Sequence, residues 1–85
     1  LIGEIMEFEI MRQIIADVLK VDPKEVKEMT TFVDDLGADS LDLMRILLLM
    51  QEKFNVVLSR NCIYKMECVG DSVEMIKEAK SNQAP

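Results

Sequence analysis

Few side chains here could do chemistry, and their types narrow the choice. The chain has no histidine, so neither a Ser-His-Asp nor a Cys-His nucleophile can be assembled from its own residues. Cys62 and Cys68 are its two cysteines. Two thiols cannot fill the four positions of a zinc site, and no metal site is expected. They lie close in sequence without a framework spacing, and they read as free thiols in a reducing compartment. No cofactor loop and no acid pair at catalytic spacing is visible, so the chain is not read as an enzyme. What stands out is Ser40, between Asp39 and Leu41, with Asp34, Asp35 and Asp42 around it. Taken by itself, a serine near a helix start is a capping residue.

The elements that must position Ser40 can be read from periodicity. From Ile5 to Leu19 apolar residues recur at helical spacing, with Ile10, Ile14 and Val18 in one row and Met11, Ile15 and Leu19 beside it. Asp22-Pro23-Lys24-Glu25 then restarts the chain as a short helical turn, with Asp22 as cap, Pro23 in the first position and Glu25 completing a capping box. No period is visible from Met29 to Asp39, where Phe32, Val33 and Leu36 are expected as anchors. A connection of about 20 residues is longer than most in compact domains, and such loops are functional or ordered by their own side chains. The second helix is expected from Ser40 to about Phe54, with Asp39 as N-cap and Asp42 in a capping-box position. A short third helix is placed around Asn61–Met66, and a last helix from near Val69 to near Lys80, burying Val69, Val73 and Ile76. Residues 81–85 are expected as a frayed tail of a single domain spanning 1–85.

The second helix carries two apolar stripes. Leu43, Ile46, Leu47, Met50 and Phe54 fall on one face, as a core-facing stripe should. Leu41, Met44 and Leu48 cluster on another side, next to Arg45 and Glu52. Either the loop and the short helix bury this second stripe, or it is a docking surface for other proteins. We adopt the docking reading, which Met44 supports because methionine adapts to varied partners.

Composition sets the outer bounds. The 85 residues carry 10 basic and 16 acidic side chains, a net charge of −6, and 49% are hydrophobic. That favours one compact helical domain and disfavours disorder or a turn-rich sandwich. No basic stripe is available to neutralise phosphates, so a nucleic-acid partner is not expected. The acidic balance fits basic patches on partner proteins. No apolar run reaches the roughly 20 residues of a membrane span, and the first residues show neither the basic start nor the cleavage site of a secretory signal. A cytoplasmic monomer is expected.

The run Asp34-Asp35-Leu36-Gly37-Ala38-Asp39-Ser40-Leu41-Asp42 resembles the phosphopantetheine attachment segment of acyl carrier proteins of the bacterial fatty-acid-synthesis type. The resemblance covers nearly the whole chain. Ile14-Ile15, Val26, Phe32, Phe54 and Val69-Gly70-Asp71 also stand at family-like places. It implies an all-α four-helix bundle with a short third helix and a long loop between the first two. It implies that Ser40 carries 4′-phosphopantetheine, delivered from coenzyme A by a phosphopantetheinyl transferase, with Asp39 aiding that enzyme and its metal. The first turn of a helix suits the added phosphate charge. The arm would hold acyl groups as thioesters for acyl-transfer, condensing and ligase enzymes of fatty acid, lipid or polyketide synthesis. Docking would fall to Leu41, Asp42, Met44, Arg45, Leu48 and Glu52. The acyl chain would lie between the second and third helices, among Leu43, Ile46, Leu47, Met50 and Phe54, with Ile63 and Met66 opposite.

The chain also departs from that family's pattern. Arg45 stands where an acid is usual on the docking face, Gln51 and Lys53 lie where acids are common, and Arg60-Asn61 replaces an acidic turn. Cys68 stands where threonine commonly caps the last helix, and a thiol is a poor cap. These changes leave the attachment segment intact and leave the partner open. Two alternatives remain at this point. One is a carrier of an amino acid or other small acyl unit, and the other, from a different class, is a non-catalytic helical adaptor.

Overall fold

The computed structural model describes residues 2–83, with side chains from 6 to 82. Helix α1 spans Ile2–Leu19, α2 spans Ser40–Phe54 and α3 spans Val69–Gln83. A 3-10 helix, Arg60–Lys65, takes the third place in chain order and completes the expected four-helix arrangement. A single 3-10 turn, Pro23–Glu25, interrupts the long loop. The Cα radius of gyration is 11.8 Å.

Helix α3 buries the face its spacing foretells, α2 buries all of its core stripe but Phe54, and α1 buries its face in part. Met11, Ile14 and Ile15 of α1 meet Leu43, Ile46, Leu47 and Met50 of α2 and Val69, Val73 and Ile76 of α3 in one core. Ile10 and Val18 are only half-buried, because their row borders an open groove against α2. Apolar contact is the main glue of such a bundle. One ion pair ties its far end, where the nearly buried Glu7 of α1 accepts Lys80 Nζ of α3 at 2.8 Å. The same ammonium lies 5.4 Å from the Phe54 ring centre.

Helix ends explain the boundaries. At α1, Lys20 is left-handed with φ 59°, and Val21 N donates to Ala16 O at 3.3 Å, a Schellman-type closure. Asn55 closes α2 in the same way, with φ 55°. At the short turn, Asp22 accepts from Lys24 N, while Glu25 N goes to the Asp22 main-chain carbonyl. Asp22 thus caps as expected, but its carboxylate takes the Lys24 amide in place of the box bond foreseen with Glu25. Helix α3 continues through Gln83, past the end foreseen near Lys80, since Ser81-Asn82-Gln83 contain no breaker. The rest of the foreseen tail, 84–85, lies outside the described residues.

The long loop is held by main-chain bonds. Phe32 N donates to Glu67 O at 3.1 Å, Val69 N to Thr30 O at 2.9 Å, and Gly70 N to Glu28 O at 2.8 Å. Thr31 and Cys68 form an isolated antiparallel bridge. Phe32 is fully buried and Leu36 packs half-buried on the core. Val33, expected as an anchor, is 56% exposed. Val33 lies in the turn after Thr31, where Leu36 N donates to Thr31 O at 3.2 Å and Gly37 N to Val33 O at 3.0 Å, and there Phe32 is turned inward while Val33 faces out.

Candidate functional site

Ser40 is set in place by the loop before it. Thr31 N donates to Asp35 Oδ2 at 2.8 Å and Asp35 N to Thr31 Oγ1 at 2.9 Å. Gly37 adopts φ 68°, a conformation glycine takes without steric cost. Ala38, buried, donates its N–H to Phe32 O at 2.9 Å. The chain then enters α2 through Asp39, whose Oδ1 accepts Asp42 N at 2.9 Å, while Asp42 Oδ2 accepts Asp39 N at 3.1 Å. The foreseen capping box is therefore complete. Asp39 is the cap and Ser40 the first helical residue, so the Ser40 hydroxyl has no capping duty. Ser40 is exposed. With the Asp42 amide committed to the cap, the first-turn N–H groups of Ser40 and Leu41 have no intrahelical partner and favour an anion beside them.

Among the described residues no hydrogen bond engages that hydroxyl, so none of them is placed to act on it as a base. Nor do three acids or thiols converge to hold a metal ion among those residues. Cys62 and Cys68 are both free and half-buried. The serine is thus accessible, placed at a helix start and chemically passive, which suits a residue modified by another enzyme.

The second stripe of α2 is uncovered. Leu41 is 68% and Leu48 60% exposed, Met44 is half-buried, and Arg45 and Glu52 are exposed. Asp42 is half-buried with its carboxylate spent on the cap. Arg45 makes no ion pair within 4 Å among the described residues, so it is not held by Asp42 or Glu52 on its own helix.

The residues foreseen around an acyl chain separate into three sets. Leu43, Ile63 and Met66 line a cleft of about 310 Å³ between the loop, α2 and the 3-10 helix. Ile46, Leu47 and Met50 are closed core, at most 1% exposed. Phe54 sits at the far end, under Lys80. Helical spacing missed the remaining wall of the cleft, which includes Thr31, Val33, Asp34, Tyr64 and Glu67. Tyr64, 82% exposed, also lines a second cleft with Met44 and Arg60. As the only tyrosine, standing in a short helix, it was the one signal available for that wall.

Residues 9–76 match the family model described as the phosphopantetheine attachment site. The acyl carrier protein of Wolinella succinogenes is 40% identical over 73 residues, covering 86% of this chain and 96% of that protein. The acyl carrier protein of Clostridium acetobutylicum is 42% identical over 72 residues, covering 85% and 94%. This chain belongs to the acyl carrier protein family. The acyl carrier protein of Chlamydia muridarum is also similar, 39% identical over 71 residues. The prosthetic group of this carrier is 4′-phosphopantetheine, and the carrier itself is not an enzyme. The exposed serine, the Ser40 and Leu41 amides that have no intrahelical partner, and the cleft that Leu43 lines one turn further along α2 fit that group. No helix among the described residues is long and apolar enough to cross a membrane.

Proposed function

We propose that Ser40 is the attachment point, and that the carrier presents acyl thioesters to enzymes of fatty acid, lipid or polyketide synthesis. One observation carries the assignment of the serine. Asp39 supplies the cap of α2, which leaves Ser40 exposed at the first turn with its hydroxyl uncommitted. A phosphopantetheinyl transferase would take the proton of the Ser40 hydroxyl, whose oxygen would attack the pantetheine-side phosphorus of the coenzyme A pyrophosphate; the P–O bond to the adenylate half would break and adenosine 3′,5′-bisphosphate would leave. The Ser40 and Leu41 amides, with the helix dipole, stabilise the resulting phosphodiester anion. Asp39 serves twice, as cap of α2 and as the carboxylate that assists the transferase and its metal. When bound, the arm supplies a terminal thiol on which the acyl group is held.

Leu41, Met44, Arg45, Leu48 and Glu52 form the docking face, with Asp42 holding the helix end beneath it. Leu43, Ile63 and Met66 receive the first part of the acyl chain, and Ile46, Leu47, Met50 and Phe54 yield to a longer one. The carrier works as a monomeric single domain in the cytoplasm, meeting acyl-transfer, condensing and ligase enzymes in turn. Family membership and an uncommitted serine favour this over the adaptor reading.

The test is incubation with coenzyme A and a broad-specificity transferase, read by intact mass. The parent chain gains one arm and Ser40→Ala gains none. Full modification of Ser40→Ala would overturn the assignment.

A further inference from the structure

We propose that the groove between α1 and α2 extends the docking surface, and that it receives an amphipathic helix of a partner protein with acidic residues flanking its apolar stripe. This builds on the carrier reading and names the chemistry of one partner. The floor at one end is Val18, Leu48 and Leu49, in a cleft of about 350 Å³. It runs on past the shared Asp17 and Leu49 into a second cleft of about 390 Å³.

The rim of this groove is cationic although the protein as a whole carries −6. Lys20 and Arg45 stand at one end and Lys53 at the other. Among the described residues none of these three forms an ion pair within 4 Å. Other cations do find acids: Arg12 pairs with Glu9, Lys77 with Glu74 and Lys80 with Glu7. The acid in the groove, Asp17, accepts the Gln13 side-chain amide at 3.0 Å.

Lys20 supplies an independent observation. Its φ of 59° belongs to a helix-ending position that glycine fills at least cost. A long charged side chain stands there where glycine would carry less strain, and it adds its charge to the rim. Arg45 and Lys53 are eight residues apart on α2, about 12 Å along its axis. A facing helix with carboxylates two turns apart would meet both cations while its apolar stripe covers Leu48 and Leu49. A lysine-rich partner would meet like charge here, which lowers association rate and sharpens discrimination.

The experiment is an NMR titration of the isotopically labelled, fully loaded carrier with two synthetic helical peptides. Both share a leucine stripe, flanked by glutamates in one and by lysines in the other. The glutamate peptide should shift the amides of Lys20, Arg45, Leu49 and Lys53 saturably. Its affinity should fall at least tenfold in Arg45→Glu/Lys53→Glu and decline with added salt. Arg45→Gln/Lys53→Gln repeats the comparison should the reversed variant lose its helical circular dichroism. Equal binding of the lysine peptide in the groove, or no saturable shift with the glutamate peptide, would overturn the proposal. So would perturbation of the groove by phosphatidylglycerol vesicles but not by the glutamate peptide, an outcome that assigns the groove to a lipid surface. Loading of the parent chain at Ser40, read separately by mass, tells a failure of this inference from a failure of the carrier reading.

Discussion

Asp39 does two jobs that a pair of substitutions can separate. Its carboxylate accepts Asp42 N at 2.9 Å, and its charge sits at the positive end of α2. Asp39→Ala removes the acceptor, which costs about 1 kcal/mol for an N-cap of this type. Loss of the charge–dipole term adds roughly 0.3–1 kcal/mol. Relief of repulsion from the neighbouring Asp35 and Asp42 offsets part of that, and the Asp42 bond back to residue 39 N survives. The net expectation is a loss of about 1 kcal/mol, or roughly 4–8 °C in Tm for a domain of this size. Asp39→Asn keeps an acceptor oxygen and should stay within about 0.5 kcal/mol of the parent. Thermal melts followed by circular dichroism measure both. Transfer of the arm, timed by mass well below either Tm, should slow in both variants, because both lack the carboxylate. If Asn falls as far as Ala in Tm, the hydrogen bond is not what holds the helix start. If both variants load at the parent rate, Asp39 has no part in the transfer.

Other expectations follow from helix ends and charge. Lys20→Gly relieves a left-handed lysine and should raise stability by about 0.5–1 kcal/mol after the extra freedom of the unfolded glycine is counted; an unchanged or lower midpoint in urea would show that no strain is stored there. Cys68→Thr places a better cap before Val69, where Asp71 Oδ2 already accepts Cys68 N at 3.0 Å, and should add about 0.5–1 kcal/mol. A melt no higher than the parent's would refute it. Asp34, Asp35, Asp39 and Asp42 lie within nine consecutive positions leading into α2, so moderate salt or magnesium should raise Tm by screening their repulsion. A Tm indifferent to both would show that the repulsion is negligible.

What could be read in the sequence follows from where the ordering forces are local. Helix α2 was legible at its start because Asp39 and Asp42, three residues apart, satisfy one another's backbone. Its two stripes were legible because helical spacing separates Leu43 from Leu41 and Leu47 from Leu48 without reference to anything distant. The end of α3 was not, because Ser81 and Asn82 are indifferent helix formers and Gln83 a good one, and after Lys80 no glycine or proline stops the chain before Pro85. The exposure of Val33 escaped because it depends on how the turn after Thr31 is laid on the core, next to a bridge to Cys68, 37 positions beyond Thr31. The cleft wall escaped for the same reason. Periodicity tells that Leu43 and Met50 share a face, whereas only the placement of the loop and the 3-10 helix decides that Leu43 borders an opening and Met50 does not.

The seam between residues 28–32 and 67–70 consists of amide-to-carbonyl bonds, and such bonds are indifferent to most side-chain changes. Met29 and Val33, on the outward side of this seam, are 85% and 56% exposed. They can be exchanged without moving the register that delivers the chain to Asp39 and Ser40. Gly70 is the exception, since a Cβ there would lie 3.2 Å from Glu28 O and 3.1 Å from Glu28 Cγ. A lineage could therefore repaint the surface around Ser40 for new clients while the serine itself stayed in place. At about 40% identity to its relatives, the chain has room for such repainting, and the tolerance is written into its backbone.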